Sequence, residues 1–364
     1  MIHLSLTFND VLQQFYKNYT QTAHFYDIIF ALLFTKGRCS IMKELKITKN
    51  DANQRLDRFV GKAVPLLPDT LLQKYIRLKR IKLNNKGAKR DVRLNEGDII
   101  QLYINDEFFD APTEENAYLK ISAPKVEIIY EDENILLADK APGVLCHVAG
   151  GDASNTLIAN IQALQYQRGE WKPRQENSFA PALCNRIDRN TGGIVIAAKN
   201  AETLRIMNEK IKLREIEKLY LCAVMGVPVP ESGEIRSFIF KDAVKNQVYV
   251  RQDFCPGAKE AITHYQTLMT RDGLSLVECE LLTGRTHQIR AQMASIGAPL
   301  LGDGKYGSEK TNRSFGERGQ ALYSYKLRFA FKTDAGILNY LNGKAFEVPS
   351  IPFAKKYFDF FVDN

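Results

Sequence analysis

The chain has 364 residues, enough for about two domains at roughly 150 residues each, and its 45% hydrophobic content with 20 Phe and 16 Tyr excludes a mainly disordered protein. The net charge of +8 is moderately basic, so where the charge sits says more about a polyanionic partner than its sum does. No run nears the roughly 18–20 apolar residues of a membrane helix, and residues 1–22 hold one Lys and no small-residue cleavage pattern, against an export signal.

Residues 1–41 are aromatic, weakly charged and without clear periodicity. Met42-Lys43-Glu44-Leu45-Lys46-Ile47 then alternates like a strand. The expectation is that Met42 is the initiator and the preceding residues are upstream sequence read in frame; the rival reading is a genuine extra helix. The intact mass of the native protein decides between them.

Residues 42–105 are expected to form a small basic α+β unit. A helical pattern starts at Arg55, and a second helix covers residues 71–77. Residues 81–87 read as a strand into a turn, and Asn95-Glu96-Gly97-Asp98 as a turn before a strand over 99–104. Positive charge gathers here: Lys74, Arg77, Lys79, Arg80, Lys82, Lys86, Lys89, Arg90 and Arg93, against Asp91. A charge run is usually only a solvated face. This one straddles a helix end and a hairpin, so it is expected to converge on one surface, as a backbone-tracking RNA binder needs.

Residues 106–121 are acidic and turn-rich and read as a linker. From 122 to 364 strands follow one another with few regular helical crossovers. A hairpin over 126–130 and 135–138 comes first, then strands over 193–199, 218–225, 248–251, 261–268 and 275–282. The expectation is an α+β domain with a mixed, largely antiparallel sheet. The six cysteines form no Cys-x-x-Cys pair and sit mostly in apolar runs, so reduced, buried thiols in a cytoplasmic protein are expected over disulfides or zinc.

Two segments carry chemistry. In Asn185-Arg186-Ile187-Asp188-Arg189-Asn190-Thr191-Gly192-Gly193, an acid lies between two arginines on a loop entering an apolar strand. Flanking guanidinium groups favour its ionised form, which suits a nucleophile or a base. Gly192-Gly193 permits close approach by a ligand, or a tight turn. From spacing alone, a turn Asp paired to a neighbouring Arg is an equal reading. The second segment is Leu282-Thr283-Gly284-Arg285-Thr286-His287-Gln288-Ile289-Arg290, followed by residues 297–307, which are also dense in donors. Its run over 286–295 reads as an amphipathic helix whose N-terminus, near Arg285, would receive a phosphate or carboxylate. No second His or Cys lies at metal-ligand spacing, so no metal is expected.

These motifs, about a hundred residues apart and in this order, resemble the RluA family of pseudouridine synthases. Three further segments agree: Tyr130-Glu131-Asp132 leading to Lys140-Ala141-Pro142-Gly143, Glu217-Lys218-Leu219-Tyr220 leading to Gly226, and Ala258-Lys259-Glu260-Ala261-Ile262-Thr263-His264-Tyr265. The likeness spans nearly all of residues 126–350. Residues 42–105, with Arg-x-x-Arg-Ile-x-Leu-Asn from Arg77 to Asn84, resemble the S4 RNA-binding domain. The resemblance implies isomerisation of uridine in RNA, without a cofactor, by a monomer needing no protein partner. Large-subunit ribosomal RNA is the expected target, with tRNA, or a non-catalytic RNA-binding protein on the same fold, as alternatives. It implies that Asp188 is the essential aspartate, that Tyr220 packs against the base and assists at C5, and that Arg290 pairs with Asp188. Arg186 would fill the gap left by the flipped nucleotide. Arg189, Arg285, His287, Gln288, Lys74, Arg77, Arg80 and Lys82 are expected to contact RNA. This chain departs from the family pattern at Asn185, Ile187 and Gly192, where His, Leu and Ser are frequent.

Overall fold

The computed structural model describes residues 42–104, 106–109, 117–148, 155–173, 177–242, 247–316 and 319–360. The alternatives for residues 1–41 lie outside these. The chain divides into two compact units, residues 1–112 and 113–364.

The first unit is built from β1 (Lys43–Lys46), α1 (Leu56–Ala63), α2 (Asp69–Arg77), β2 (Ile81–Leu83), β3 (Lys86–Gly87) and β4 (Ile99–Leu102). Its four strands pair antiparallel in the order β1-β4-β2-β3. Leu56, Phe59 and Val60 of α1 and Leu72, Tyr75 and Ile76 of α2 recur at helical spacing, and all are buried against Ile81, Ile100 and Leu102. Each such side chain contributes about 1.5–3 kcal/mol when fully buried.

The second unit is one eleven-stranded sheet. Its strands are β5 (Glu127–Glu131), β6 (Ile135–Lys140), β7 (Ala182–Leu183), β8 (Gly192–Ala198), β9 (Ile216–Met225), β10 (Ser232–Asp242), β11 (Gln247–Arg251), β12 (Lys259–Arg271), β13 (Leu274–Leu281), β14 (Leu322–Phe329) and β15 (Ala345–Glu347). The order is β11-β10-β12-β13-β9-β14-β8-β6-β5, with β15 on β14 and β7 on β8. Only β14 with β8 is parallel among the described pairs, so the sheet is mixed and largely antiparallel. Helices α3 (Leu157–Gln167), α4 (Ala201–Lys212), α5 (Gln288–Ser295), α6 (Glu309–Ser314) and α7 (Pro352–Phe358) complete the unit.

The central strands are buried on both faces. Along β9, Leu221 and Ala223 join one core, while Tyr220, Cys222 and Val224 join another with Ile289 and Met293 of α5. This two-residue alternation between two cores is why the strand reads as a continuous apolar run.

The segment 106–121, expected as a linker, contributes to both units. Phe108 and Phe109 pack on the first core, and Tyr118 is buried with Ala163 and Trp171 in the second unit. Of the five described cysteines, all free, Cys146, Cys222 and Cys279 are buried and Cys184 and Cys255 are half-buried. No described helix is long and apolar enough to cross a membrane.

Candidate active site

Asp188 lies on the loop between β7 and β8. Its carbonyl accepts from Thr191 N at 3.1 Å, which closes a turn just before the strand. The side chain is 28% exposed, so it is accessible while being held. Arg290 Nη1 donates to Asp188 Oδ2 at 3.2 Å, and His287 Nε2 lies 3.8 Å from the same oxygen.

The aim of Arg290 is set from behind. Its Nε and Nη2 donate to the two oxygens of Asp303 at 2.7 and 3.0 Å, a bidentate pair that leaves Nη1 for Asp188. Asp303 is fully buried and also accepts from Lys305 N and Tyr306 N. Burial pushes its carboxyl up, but Arg290 and these amides outweigh that and hold it below the usual carboxylate range. Tyr306 shares its hydroxyl with His287 Nδ1 at 2.9 Å and accepts from Val248 N at 3.0 Å. His287 has the left-handed φ of 53° at the start of α5. Burial lowers its pKa against the opposing pull of Asp188.

The loop is tied down by a lysine. Lys140 is buried, and its ammonium donates to the carbonyls of Ala141, Val144 and Arg189 at 3.0, 2.8 and 2.9 Å. Gly143 N donates to the Arg189 carbonyl as well, at 2.8 Å. Burial pushes the Lys140 pKa down to about 8.

Strand register brings Tyr220 to the same place. Gly193 pairs with Ser324, Ser324 with Tyr220, and Tyr220 with Cys279. Tyr220 is thus two strands from the β8 start, about 10 Å at the usual strand spacing. It is 6% exposed, and burial, with the Asp188 charge, pushes its phenol up to about 12. Two clefts meet at Asp188, Arg186, His287 and Arg290. One is about 610 Å³ and continues past His147, Lys241 and Lys305. The other, about 450 Å³, is lined by Tyr220, Lys218 and Arg285.

Several sequence expectations need correction. The arginines adjoining Asp188 do not pair with it. Arg189 Nε donates to Gly143 O at 3.0 Å, and Arg186 has no partner among the described residues though it lines both clefts. The contacting guanidinium comes from Arg290, 102 residues on. The close approach at Gly192-Gly193 is made by the sheet itself. A Cβ on Gly192 would meet the Tyr323 ring at 2.1 Å, and one on Gly193 the Ser324 carbonyl oxygen at 2.2 Å. Helix α5 is not amphipathic, for every residue from Gln288 to Met293 is buried. Gln288, expected on RNA, uses its amide internally. It accepts from Thr283 Oγ1 and Arg285 N, and donates to Ile262 O and Thr263 Oγ1. Arg285 gives Nε to Glu260 O and still lines the second cleft.

In the first unit, Arg77, Lys79, Lys89 and Arg90 line one basic hollow of about 650 Å³. Lys74 is exposed on α2 outside its lining, Arg80 lies over the Tyr75 ring, and Lys82 over the Tyr103 ring. Sequence reasoning did not single out Lys140, Asp303 and Tyr306 as site residues. Their signal was present in the donor-dense run 297–307 and in Lys140-Ala141-Pro142-Gly143, but nothing in either run says which side chain is buried.

The family model described as RNA pseudouridylate synthase matches residues 134–295. An uncharacterized RNA pseudouridine synthase of Mycoplasma genitalium is 31% identical over 294 residues, covering 79% of this chain and 90% of that protein. Ribosomal large subunit pseudouridine synthase C of Rickettsia bellii is 30% identical over 268 residues, 70% of this chain and 83% of that one. The solved structure of human RNA pseudouridylate synthase domain containing 1 shares the fold. Its TM-score is 0.50 at 22% identity, over 64% of this chain and 86% of that one. The chain belongs to the RNA pseudouridine synthase family.

Proposed function

We propose that the chain isomerises uridines of large-subunit ribosomal RNA with Asp188 as its catalytic carboxylate. The observation that carries this reading is one partly exposed carboxylate where two clefts meet, held by a guanidinium that is itself clamped from behind. Relatives named for the ribosomal large subunit, at about 30% identity, support the choice of RNA. The first unit, with its S4-like pattern and basic hollow, binds RNA backbone in this reading.

The target uridine leaves the stack, at a cost of a few kcal/mol, because its glycosidic bond is unreachable inside a helix. The base enters the Tyr220 cleft, and Arg186 fills the gap it leaves. Asp188 attacks C6 of the base or C1′ of the ribose, or removes the C2′ proton. The N1–C1′ bond breaks, the uracil turns and a C5–C1′ bond forms; the bond from Asp188 to carbon breaks again, or the C2′ proton is returned, and loss of the C5 proton completes the isomerisation. Tyr220 is neutral at pH 7, so its hydroxyl can take the C5 proton only while giving up its own. Arg290 keeps the carboxylate aimed.

The test is Asp188→Asn, assayed on an unmodified ribosomal RNA transcript. Pseudouridine formation is expected to vanish while RNA affinity stays nearly intact. Undiminished activity in that variant overturns the assignment.

A further inference from the structure

We propose that Lys218 and Arg285 form an anion subsite that grips an RNA phosphate beside the Tyr220 cleft. This rests on the reading of the substrate as RNA.

Lys218 and Tyr220 are two residues apart on β9 and so share a face of the strand. Lys218 lines the Tyr220 cleft and also an adjoining hollow of about 290 Å³ that runs toward Lys212 and Arg214. Among the described residues its ammonium has no hydrogen bond or ion pair, although it is half-buried. Burial lowers its pKa, and no acid counters that. The acids of the hollow are engaged elsewhere: Glu217 takes Arg328 at 2.6 Å, and Glu280 takes His264 at 3.3 Å. Arg285 spends only Nε, on the Glu260 carbonyl, which leaves its terminal nitrogens for a ligand.

A desolvated cation without a counter-charge costs free energy in the free protein. It becomes favourable when the ligand brings the missing charge. Two adjoining cations at a mouth that continues past Arg214 suit a backbone phosphate, since a charged oxygen repays that cost better than a neutral uracil carbonyl does.

The experiment compares full-length wild type, Lys218→Met and Lys218→Arg for binding to an unmodified large-subunit ribosomal RNA transcript over a range of salt. Lys218→Met should weaken binding about tenfold, the worth of a charge-assisted hydrogen bond. Its slope of log affinity against log salt should flatten by about 0.7–0.9, the share of one neutralised phosphate. Lys218→Arg should restore the slope. The thermal midpoint of Lys218→Met should equal or exceed that of wild type, because an unpaired buried charge is removed. An unchanged slope overturns the proposal, including the case where binding weakens through poorer packing on the base. A lowered midpoint that accounts for the weaker binding also overturns it. If the wild type makes no pseudouridine in the transcript, the functional reading fails, while the slope comparison still decides the phosphate site.

Discussion

Arg290 faces Asp188 with a single nitrogen because Asp303 holds the other two. Removing one partner of a buried pair leaves the other charge uncompensated, which costs about 3–5 kcal/mol, whereas the single, partly exposed Arg290–Asp188 contact is worth less. Asp303→Asn is therefore expected to lower stability by about 3 kcal/mol and turnover by at least about tenfold, since an amide cannot accept both guanidinium bonds. The sign with pH follows from Asp303, whose folded-state pKa lies below its ordinary value of 3.8. Its stabilisation is present above that value and is lost as pH falls through the folded one. Denaturant titrations of both proteins at neutral and acid pH check this, and a difference that stays constant into acid refutes it. Asp188 and Arg290 were legible in the sequence because their motifs name them. Asp303 was not, because a buried acid in a Gly-rich run looks like any turn aspartate until its burial is known.

At the scale of elements, the site depends on register. Gly193 has φ 113°, and the backbone of Ser324 lies where a side chain would begin. Parallel pairing of β14 with β8 at this point links Gly193 to Tyr220 through Ser324, so a shift here moves Asp188 relative to Tyr220. Gly193→Ala is expected to cost more than about 2 kcal/mol, as overpacking combined with a strained left-handed residue, and to lower turnover in whatever fraction still folds. Thermal unfolding and single-turnover assays measure both, and wild-type values in each would rule out this dependence on register. Strands β8, β9, β11, β12 and β13 were readable from apolar runs. Strand β14 was not singled out, although Tyr323-Ser324-Tyr325-Lys326-Leu327-Arg328-Phe329 alternates apolar with polar residues as a strand does. Helix α5 misled in a different way. Its polar residues look like a solvent face, yet Gln292 gives its amide to Ile235 O, Ser237 Oγ and Ala261 O and accepts from Thr263 Oγ1. Buried polar groups satisfied inside a fold are indistinguishable from exposed ones in a hydropathy pattern.

For the whole molecule, the basic hollow belongs to the first unit, while the groups proposed to react belong to residues 113–364. The charge run of the first unit was visible in the sequence; which of its members share one surface was not, since that depends on how α2 and the β2–β3 hairpin pack. Arg77, Lys79, Lys89 and Arg90 share it. Replacing these four by Ala should flatten the salt slope by about 3, at 0.7–0.9 for each phosphate no longer neutralised. Such a weakening is uniform binding, equal for bound substrate and transition state, so KM should rise while turnover at saturating RNA stays within about twofold. The same four substitutions should leave the thermal midpoint nearly unchanged, because all four side chains are exposed. If turnover fell with an unchanged slope, the first unit would be acting on the chemistry instead of the grip, and its assignment as an RNA-binding module would be wrong.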